Sequence, residues 1–322
     1  MQAILAVTVP FFALVLAGWL AARQHLLPES AIPGLNAYVL YFALPCLLFR
    51  FGAGTPVLEL LNPVVLAVYL ASALLIVFVT IASTLGEGVD LKNAAFGALV
   101  AAFPNTGFMG VPLLVALLGP AAAGPMISTL LADLFVTSSL CIAIAQAHGA
   151  AHQGPRVALA RALRGALSNP LPWSIALGAA FSIMGLHLGG PLDTIVRMLA
   201  DSASPVALFT IGTVLWRAGQ HAHTRTPVAR FLPVALIKLF LHPLLVLALG
   251  ASARQLGAPL SSFELLVLTL AAALPSASNV SLLAERYGAD NGRIARIIMS
   301  STVLAFVTFT ALAWLLGVQP VA

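Results

Sequence analysis

Charge is scarce in this sequence: 8% of its 322 residues are Asp, Glu, Lys or Arg, and 61% are hydrophobic. A soluble domain carries about one quarter charged residues. The mean hydropathy of +1.04 therefore excludes water as the main solvent.

Cysteine is almost absent too. Cys46 and Cys141 both fall inside apolar stretches, so the sequence offers no disulfide framework, redox pair or metal cluster.

The motifs of two kinds of membrane protease are also missing. The sequence has no HExxH zinc motif and no pair of mid-span aspartates with a Gly-rich motif. An intramembrane enzyme is the alternative from a different functional class, and these absences argue against it. We expect no catalytic residue, no metal ion and no cofactor.

Long apolar runs dominate what is present. A helix needs about 20 mostly apolar residues to cross a bilayer core, and these runs are too long and continuous for barrel strands. Arg23 follows the first run instead of preceding it, which predicts a retained helix and not a signal peptide. The runs predict an all-α polytopic membrane protein with ten transmembrane helices, at about 3–22, 35–52, 62–85, 93–118, 124–147, 168–187, 193–216, 230–250, 262–286 and 294–317.

Basic residues concentrate in every second connection between these helices. The positive-inside rule places the odd connections in the cytoplasm and both termini on the periplasmic or extracellular side. Because the charges flank membrane segments, they predict topology and not a nucleic-acid partner. The even connections and adjoining helix ends hold only Arg50, Arg197 and Arg254. The odd ones hold Arg23, Lys92, Arg156, Arg161, Arg164, Arg217, Arg225, Arg230, Arg286, Arg293 and Arg296.

Two pairs of segments resemble each other across the halves of the chain. ALPCLLFRFG (43–52) aligns without gaps with ASPVALFTIG (203–212), at a constant spacing of 160 residues. AAFPN (101–105) parallels AALPS (272–276). Two matches in the same serial order predict an internal repeat.

This repeat divides the chain into two five-helix units. The first covers residues 1–148, the second residues 166–322, and a cytoplasmic loop at 149–165 connects them. Because five is an odd number, the second unit enters the membrane from the opposite side. The repeat is therefore predicted to be inverted, as in many secondary transporters.

Prolines interrupt helices 4 and 9 of this prediction. Proline removes a helix hydrogen bond, and the freed backbone groups are tolerated in a membrane only inside protein or beside a wet cavity. We expect both helices to be broken and to meet at mid-membrane, where the amides of their half-helices favour an anion. The alternative is a pair of kinked helices whose polar side chains bond their neighbours. The candidate substrate-binding residues are Pro104, Asn105, Thr106, Gly107, Pro275, Ser276, Ser278 and Asn279.

Three segments carry a family resemblance. FPNTGFMGVPLL (103–114), ALPCLLF (43–49) and SPVALFTIG (204–212) resemble the auxin efflux carrier family, and the resemblance extends over nearly the whole chain. It implies ten helices in two inverted repeats, with helices 4 and 9 crossing at their prolines. It also implies a carrier in the bacterial inner membrane, since bacterial members are regarded as carriers of malonate-like and other organic acids.

The resemblance extends to single residues. Pro104 and Asn105 match the family's proline–asparagine pair, whose asparagine is implicated in contacting the substrate carboxylate, and Pro275 matches the second crossover proline. Two departures argue against auxin as the substrate. The connecting loop is much shorter than the long hydrophilic loop of plant members, and Gly107 and Phe108 stand where an aromatic often follows the crossover.

Charged residues within the predicted helices are candidates for coupling. Asp133 either accepts and releases a coupling proton or is a structural carboxylate bonded by Ser or Thr across helices. Lys238 either neutralises a carboxylate or extends to the cytoplasmic surface. Asp193, Arg197 and Asp201 are spaced as an ion-pair ladder on one helix face.

The sequence therefore predicts a secondary transporter that moves a small organic anion by alternating access between two inverted repeats. A proton is a candidate coupling ion, and sodium is less favoured. A sodium-coupled bile-acid-type relative is the alternative carrier, but it would need more acidic or amide side chains near the second crossover than Asn279. A channel-like or sensor protein on the same scaffold is the third alternative.

The bilayer and a second copy of the chain, as a homodimer, complete the predicted partners. His148 and His152 lack further metal ligands, so we expect them to be solvated.

Overall fold

The protein is helical throughout the part of the chain that its structure describes. Among these residues the only extended pairings are two isolated bridges, at Gly86–Val89 and at Pro104–Ser276. This confirms the all-α prediction. His148, His152 and most of the predicted connecting loop lie outside the described residues. The computed structural model describes residues 1–56, 60–86, 88–147, 164, 167–220 and 226–321.

Helices occur in each of the ten apolar runs. Seven of them, α1, α2, α3, α5, α7, α8 and α10, are long and apolar enough to cross a membrane by length and composition, so the chain is a multi-pass membrane protein. In chain order the helices are α1 (Gln2–Arg23), α2 (Ala31–Gly54), α3 (Pro63–Thr84), α4a (Leu91–Ala102), α4b (Thr106–Leu118), α5 (Pro120–Gln146), α6 (Pro170–Met184), α7 (Gly190–Gln220), α8 (Val228–Gln255), α9a (Ser262–Ala273), α9b (Val280–Arg286) and α10 (Asn291–Leu315).

Polar side chains cap the starts of α3 and α9a, and a hydrogen bond between the two caps joins these helices. Asn62 precedes α3 and accepts hydrogen bonds from the amides of Val64 and Val65. Ser261 and Glu264 form a capping box at the start of α9a. The Asn62 amide also donates to the Glu264 carboxylate at 2.8 Å, so the caps fix the starts of α3 and α9a against each other.

The helices form two groups. In one group α1 packs along α7 and α2 packs along α6, while α3, α4, α5, α8, α9 and α10 form the other. The main core lies in the second group, where every residue of Ala94–Ala102 in α4a is buried. A helix that is apolar all round needs such an interior position.

Glycines allow α1 and α7 to touch backbone to backbone. A Cβ atom on Gly18 would collide with the carbonyl oxygen of Phe209, and one on Gly212 would collide with the carbonyl oxygen of Val15. Close approach of this kind is typical of small residues at membrane helix interfaces.

The contact between α6 and α2 has the same form. A Cβ atom on Gly178 would collide with the carbonyl oxygen of Phe49, and one on Gly52 would lie 2.8 Å from the carbonyl oxygen of Ile175. Each of these residues is 160 positions from its counterpart in the contact between α1 and α7. This is the spacing at which the sequences of α2 and α7 align.

Four helices contain one wider π turn. Such π turns occur often at functional sites because they re-aim side chains. Two of them contain the charged residues singled out from the sequence, Asp133 and Lys238. The π segments are Val39–Ala43, Thr106–Gly110, Asp133–Thr137 and Ile237–Leu241.

Candidate functional site

The predicted helix 4 consists of α4a and α4b, and α4a ends just before the predicted proline. The Phe103 amide still donates to the Leu99 carbonyl at 2.9 Å. Pro104 has no N–H, and the Asn105 amide turns away from the helix, so regular bonding stops there. The chain becomes helical again at Thr106, where α4b begins.

Helix 9 is interrupted over a longer stretch. The Leu274 amide makes a tightened bond to the Ala271 carbonyl at 3.2 Å, and Pro275 again lacks an N–H. The backbone stays non-helical until α9b begins at Val280. The break therefore contains Ser276, Ser278 and Asn279.

The two breaks bond to each other through their backbones. The Asn105 amide donates to the Pro275 carbonyl at 2.8 Å, and the Ala277 amide donates to the Phe103 carbonyl at 3.0 Å. These reciprocal bonds form an antiparallel bridge centred on Pro104 and Ser276. Groups released by two broken helices thus satisfy each other inside the protein, as a lipid environment demands.

Most of the candidate site residues are buried at this bridge, although Asn279 is partly exposed. The Ser276 hydroxyl is buried without a hydrogen-bond partner in the structure. The Asn105 side chain is 3% exposed, and it makes no hydrogen bond within the described residues. The Thr106 hydroxyl lies 3.5 Å from the Pro104 carbonyl, a weak contact.

This arrangement suits a carboxylate. The Ser276 hydroxyl and the Asn105 side-chain amide have no hydrogen-bond partner within the described residues, so both can donate to an anion. Hydrogen bonds to a charged acceptor are stronger than neutral ones. The Thr106 amide at the start of α4b donates to the Pro104 carbonyl at 2.7 Å. The next amides of α4b have no partner within their own helix, and they add partial positive charge at the same place. α9b has only seven residues, so its contribution to this field is small.

Asp133 lies at the start of the π segment of α5 and is fully buried. Its carboxylate accepts a hydrogen bond from the Tyr69 hydroxyl at 2.7 Å and one from the Thr137 hydroxyl at 3.1 Å. Thr137 belongs to the same helix, whereas Tyr69 reaches across from α3. Sequence reasoning missed Tyr69, although a hydroxyl inside an apolar span was a signal.

Lys238 is fully buried in α8, so the expectation that it extends to the surface is wrong. Its ammonium donates to the Ala272 carbonyl, the second-to-last residue of α9a, at 2.6 Å. It also lies 3.2 Å from Nδ1 of His242. The His242 ring lies 5.8 Å from the Tyr69 ring, so the Asp133 and Lys238 groups belong to one buried polar region.

The predicted ion-pair ladder on α7 has a different arrangement. Asp201 lies 4.0 Å from Arg50 of α2, and both side chains are exposed. No ion pair joins Arg197 to either aspartate within the described residues. Sequence spacing suggested partners on one helix, but the neighbouring helix supplies the cation.

Comparison with known proteins identifies the family. A family model described as "Membrane transport protein" matches residues 3–313. The chain is 29% identical over 321 residues to the "Putative malonate transporter" of Rhizobium meliloti (strain 1021), covering 98% of this chain and 97% of that one. It is 25% identical over 314 residues to the "Uncharacterized transporter YfdV" of Escherichia coli (strain K12), covering 95% of each. It is 22% identical over 363 residues to the "Auxin efflux carrier component 8" of Arabidopsis thaliana, covering 97% of each. The chain is therefore a membrane transporter and belongs to the family that includes the auxin efflux carriers.

Proposed function

We propose that the protein is a secondary transporter that moves a small organic anion, malonate-like or another carboxylate, across the inner membrane by alternating access. The observation that carries the proposal is the contact between the two breaks. There, both helices have lost their regular backbone hydrogen bonds. The Ser276 hydroxyl and the Asn105 side-chain amide lie at this contact, and neither has a hydrogen-bond partner within the described residues. Discontinuous helices of this kind form the substrate sites of many secondary transporters.

The architecture we propose is ten transmembrane helices in two inverted halves, residues 1–148 and 166–322, with helices 4 and 9 crossing at mid-membrane. Two observations support it. The glycine contacts between α1 and α7 recur between α6 and α2 at a spacing of 160 residues. The two breaks also contact each other directly, because the Asn105 amide donates to the Pro275 carbonyl and the Ala277 amide donates to the Phe103 carbonyl, as crossing helices require. Both termini then lie on the periplasmic or extracellular side.

The residues of the two breaks have distinct roles in this proposal. Pro104 and Pro275 keep the helices open. The side chains of Asn105 and Ser276 donate to the substrate carboxylate. The remaining candidates, Thr106, Gly107, Ser278 and Asn279, line the space and contribute backbone amides or hydroxyls.

The substrate class follows from this chemistry and from the relative. The donors on the two breaks are neutral, and they suit a carboxylate group of the substrate. The Rhizobium meliloti relative is named for malonate, a small dicarboxylate. Malonate is therefore the first substrate to test.

Asp133 is our candidate for coupling. Its carboxylate is buried, and hydrogen bonds from Tyr69 and Thr137 hold it in place. Lys238 lies in the same buried polar region, 3.2 Å from His242. A carboxylate in such a place can exchange a proton during each cycle. Sodium is less favoured because Asn279 is the one amide or acidic side chain in the second break.

Transport by purified protein in liposomes tests the proposal. Liposomes loaded with unlabelled malonate should accumulate labelled malonate saturably, and an inward acid gradient should change the rate. Acetate and a bulky aromatic acid serve as competitors of differing size. The proposed substrate class would be contradicted by two results together. Malonate uptake would be no faster than in protein-free liposomes, and malonate would not change the thermal stability of the protein.

A further inference from the structure

The break in helix 9 splits one particular hydrogen bond. In a continuous helix, the amide of residue 276 would donate to the carbonyl of residue 272. Here the Ser276 amide donates to the Ser301 hydroxyl of α10 at 3.2 Å. The Ala272 carbonyl accepts instead from the Lys238 ammonium of α8 at 2.6 Å. Two side chains from two different helices have replaced one backbone bond.

Both side chains are suited to this task. Ser301 is fully buried, and it donates its own proton to the Ile298 carbonyl at 3.0 Å, which leaves its oxygen free to accept. The Lys238 ammonium lies at the C-terminal end of α9a, where the helix carbonyls carry partial negative charge. A cation is favoured at that end of a helix.

Helix 4 has no equivalent device. The Asn105 amide would donate to the Ala101 carbonyl in a continuous helix, and it donates to the Pro275 carbonyl instead. Within the described residues, no side chain donates to the Ala101 carbonyl. Backbone bonds between the breaks therefore hold both of them, and side chains from α8 and α10 hold the second break in addition.

We propose that Lys238 and Ser301 form a two-sided cap that holds helix 9 open between Ala272 and Ser276. Lys238 is then a positioning residue for the substrate site and not a ligand of the substrate. Without the cap, the carbonyl and amide are left unpaired in a dry place. The backbone then shifts towards re-forming the helix bond and draws the Ser276 hydroxyl out of the site. This inference rests on the proposed function only in placing the substrate at the breaks.

Hydrogen exchange tests the cap without any substrate. We expect Ser301→Ala to speed exchange of the amides within 272–279 by about tenfold, because one backbone hydrogen bond is lost. Lys238→Met, which keeps the stem and removes the donor, should act on the same segment. Thr302→Ala is the matched control, since its hydroxyl bonds the Ile298 carbonyl at 2.7 Å and does not reach the break.

Malonate binding supplies the second readout. Each single variant should raise the Kd by about five- to tenfold, and the double variant should raise it little further, because both act on one split bond. Unchanged exchange within 272–279 in Ser301→Ala would overturn the cap, as would additive effects on the Kd. If Lys238→Met does not fold, the exchange result for Ser301→Ala decides alone. Failure of the wild-type protein to bind malonate counts against the proposed function, and exchange still decides the cap.

Discussion

The two breaks share a backbone design but differ in what surrounds them. The helix 4 break is short and contains Asn105, a neutral amide, and its released backbone bonds to the other break. The helix 9 break is longer, and two further helices hold it through Ser301 and the charged Lys238. We infer that the first break mainly binds substrate, while side chains from α8 and α10 hold the second in place. In the proposed repeat, the two related helices then have different tasks.

Loss of Asp133, the proposed coupling carboxylate outside both breaks, should have the largest effect on transport. We expect Asp133→Asn to abolish uptake driven by an acid gradient, since the side chain can no longer release a proton. Exchange of labelled for unlabelled malonate should persist, because the substrate residues are intact. Liposome assays of both activities make the measurement, and full proton dependence in the variant would assign coupling elsewhere.

Asn105→Ala should have the next largest effect. A hydrogen bond to a charged acceptor contributes about 2 kcal/mol, so the malonate Kd should rise by roughly 30-fold or more. The ligand-free protein should keep its melting temperature, because the Asn105 side chain makes no hydrogen bond within the described residues. Calorimetry and thermal unfolding give the two values. An unchanged Kd would remove Asn105 from the site.

Ser276→Ala in the helix 9 break should be milder. We expect the malonate Kd to rise by about tenfold, since a single hydroxyl donor is lost. Ser72→Ala is a matched control, because that hydroxyl is also buried but bonds the Val68 carbonyl in α3. Equal effects of the two variants on binding would show that the Ser276 hydroxyl has no special place.

The smallest expected effects are on the melting temperature, and they test whether the two halves of the chain are related. Gly18→Ala and Gly178→Ala each place a methyl group against a carbonyl of the facing helix. Overpacking of this kind costs about 1–3 kcal/mol, so each melting temperature should fall by a few degrees. Gly34→Ala is the control because open space surrounds it. A fall in one variant alone would weaken the proposed repeat.

The sequence was sufficient for the features that depend on local chemistry. Apolar run length gave the all-helical membrane fold, and Pro104 and Pro275 marked where helices 4 and 9 lose their regularity. The partners of buried polar groups were beyond it. Tyr69 lies 64 positions from Asp133, and Ser301 lies 25 positions from Ser276. Common residues at such separations meet only through helix packing, which composition and spacing do not specify.

Lys238 shows why charge alone misleads. Its place in an apolar span predicted either a counter-charge or a side chain reaching the surface. Besides His242 of its own helix, it bonds to a backbone carbonyl that is a free acceptor only because another helix is broken. That acceptor depends on the conformation of helix 9, so no pattern in the sequence of α8 could indicate it.

The most direct test of the account is an experimental structure of the protein with malonate bound. We predict one carboxylate between the breaks, within hydrogen-bond distance of the side-chain amide of Asn105 and the hydroxyl of Ser276. Both helices should be interrupted at their prolines. Malonate bound in another cavity, or either helix running unbroken past its proline, would contradict it.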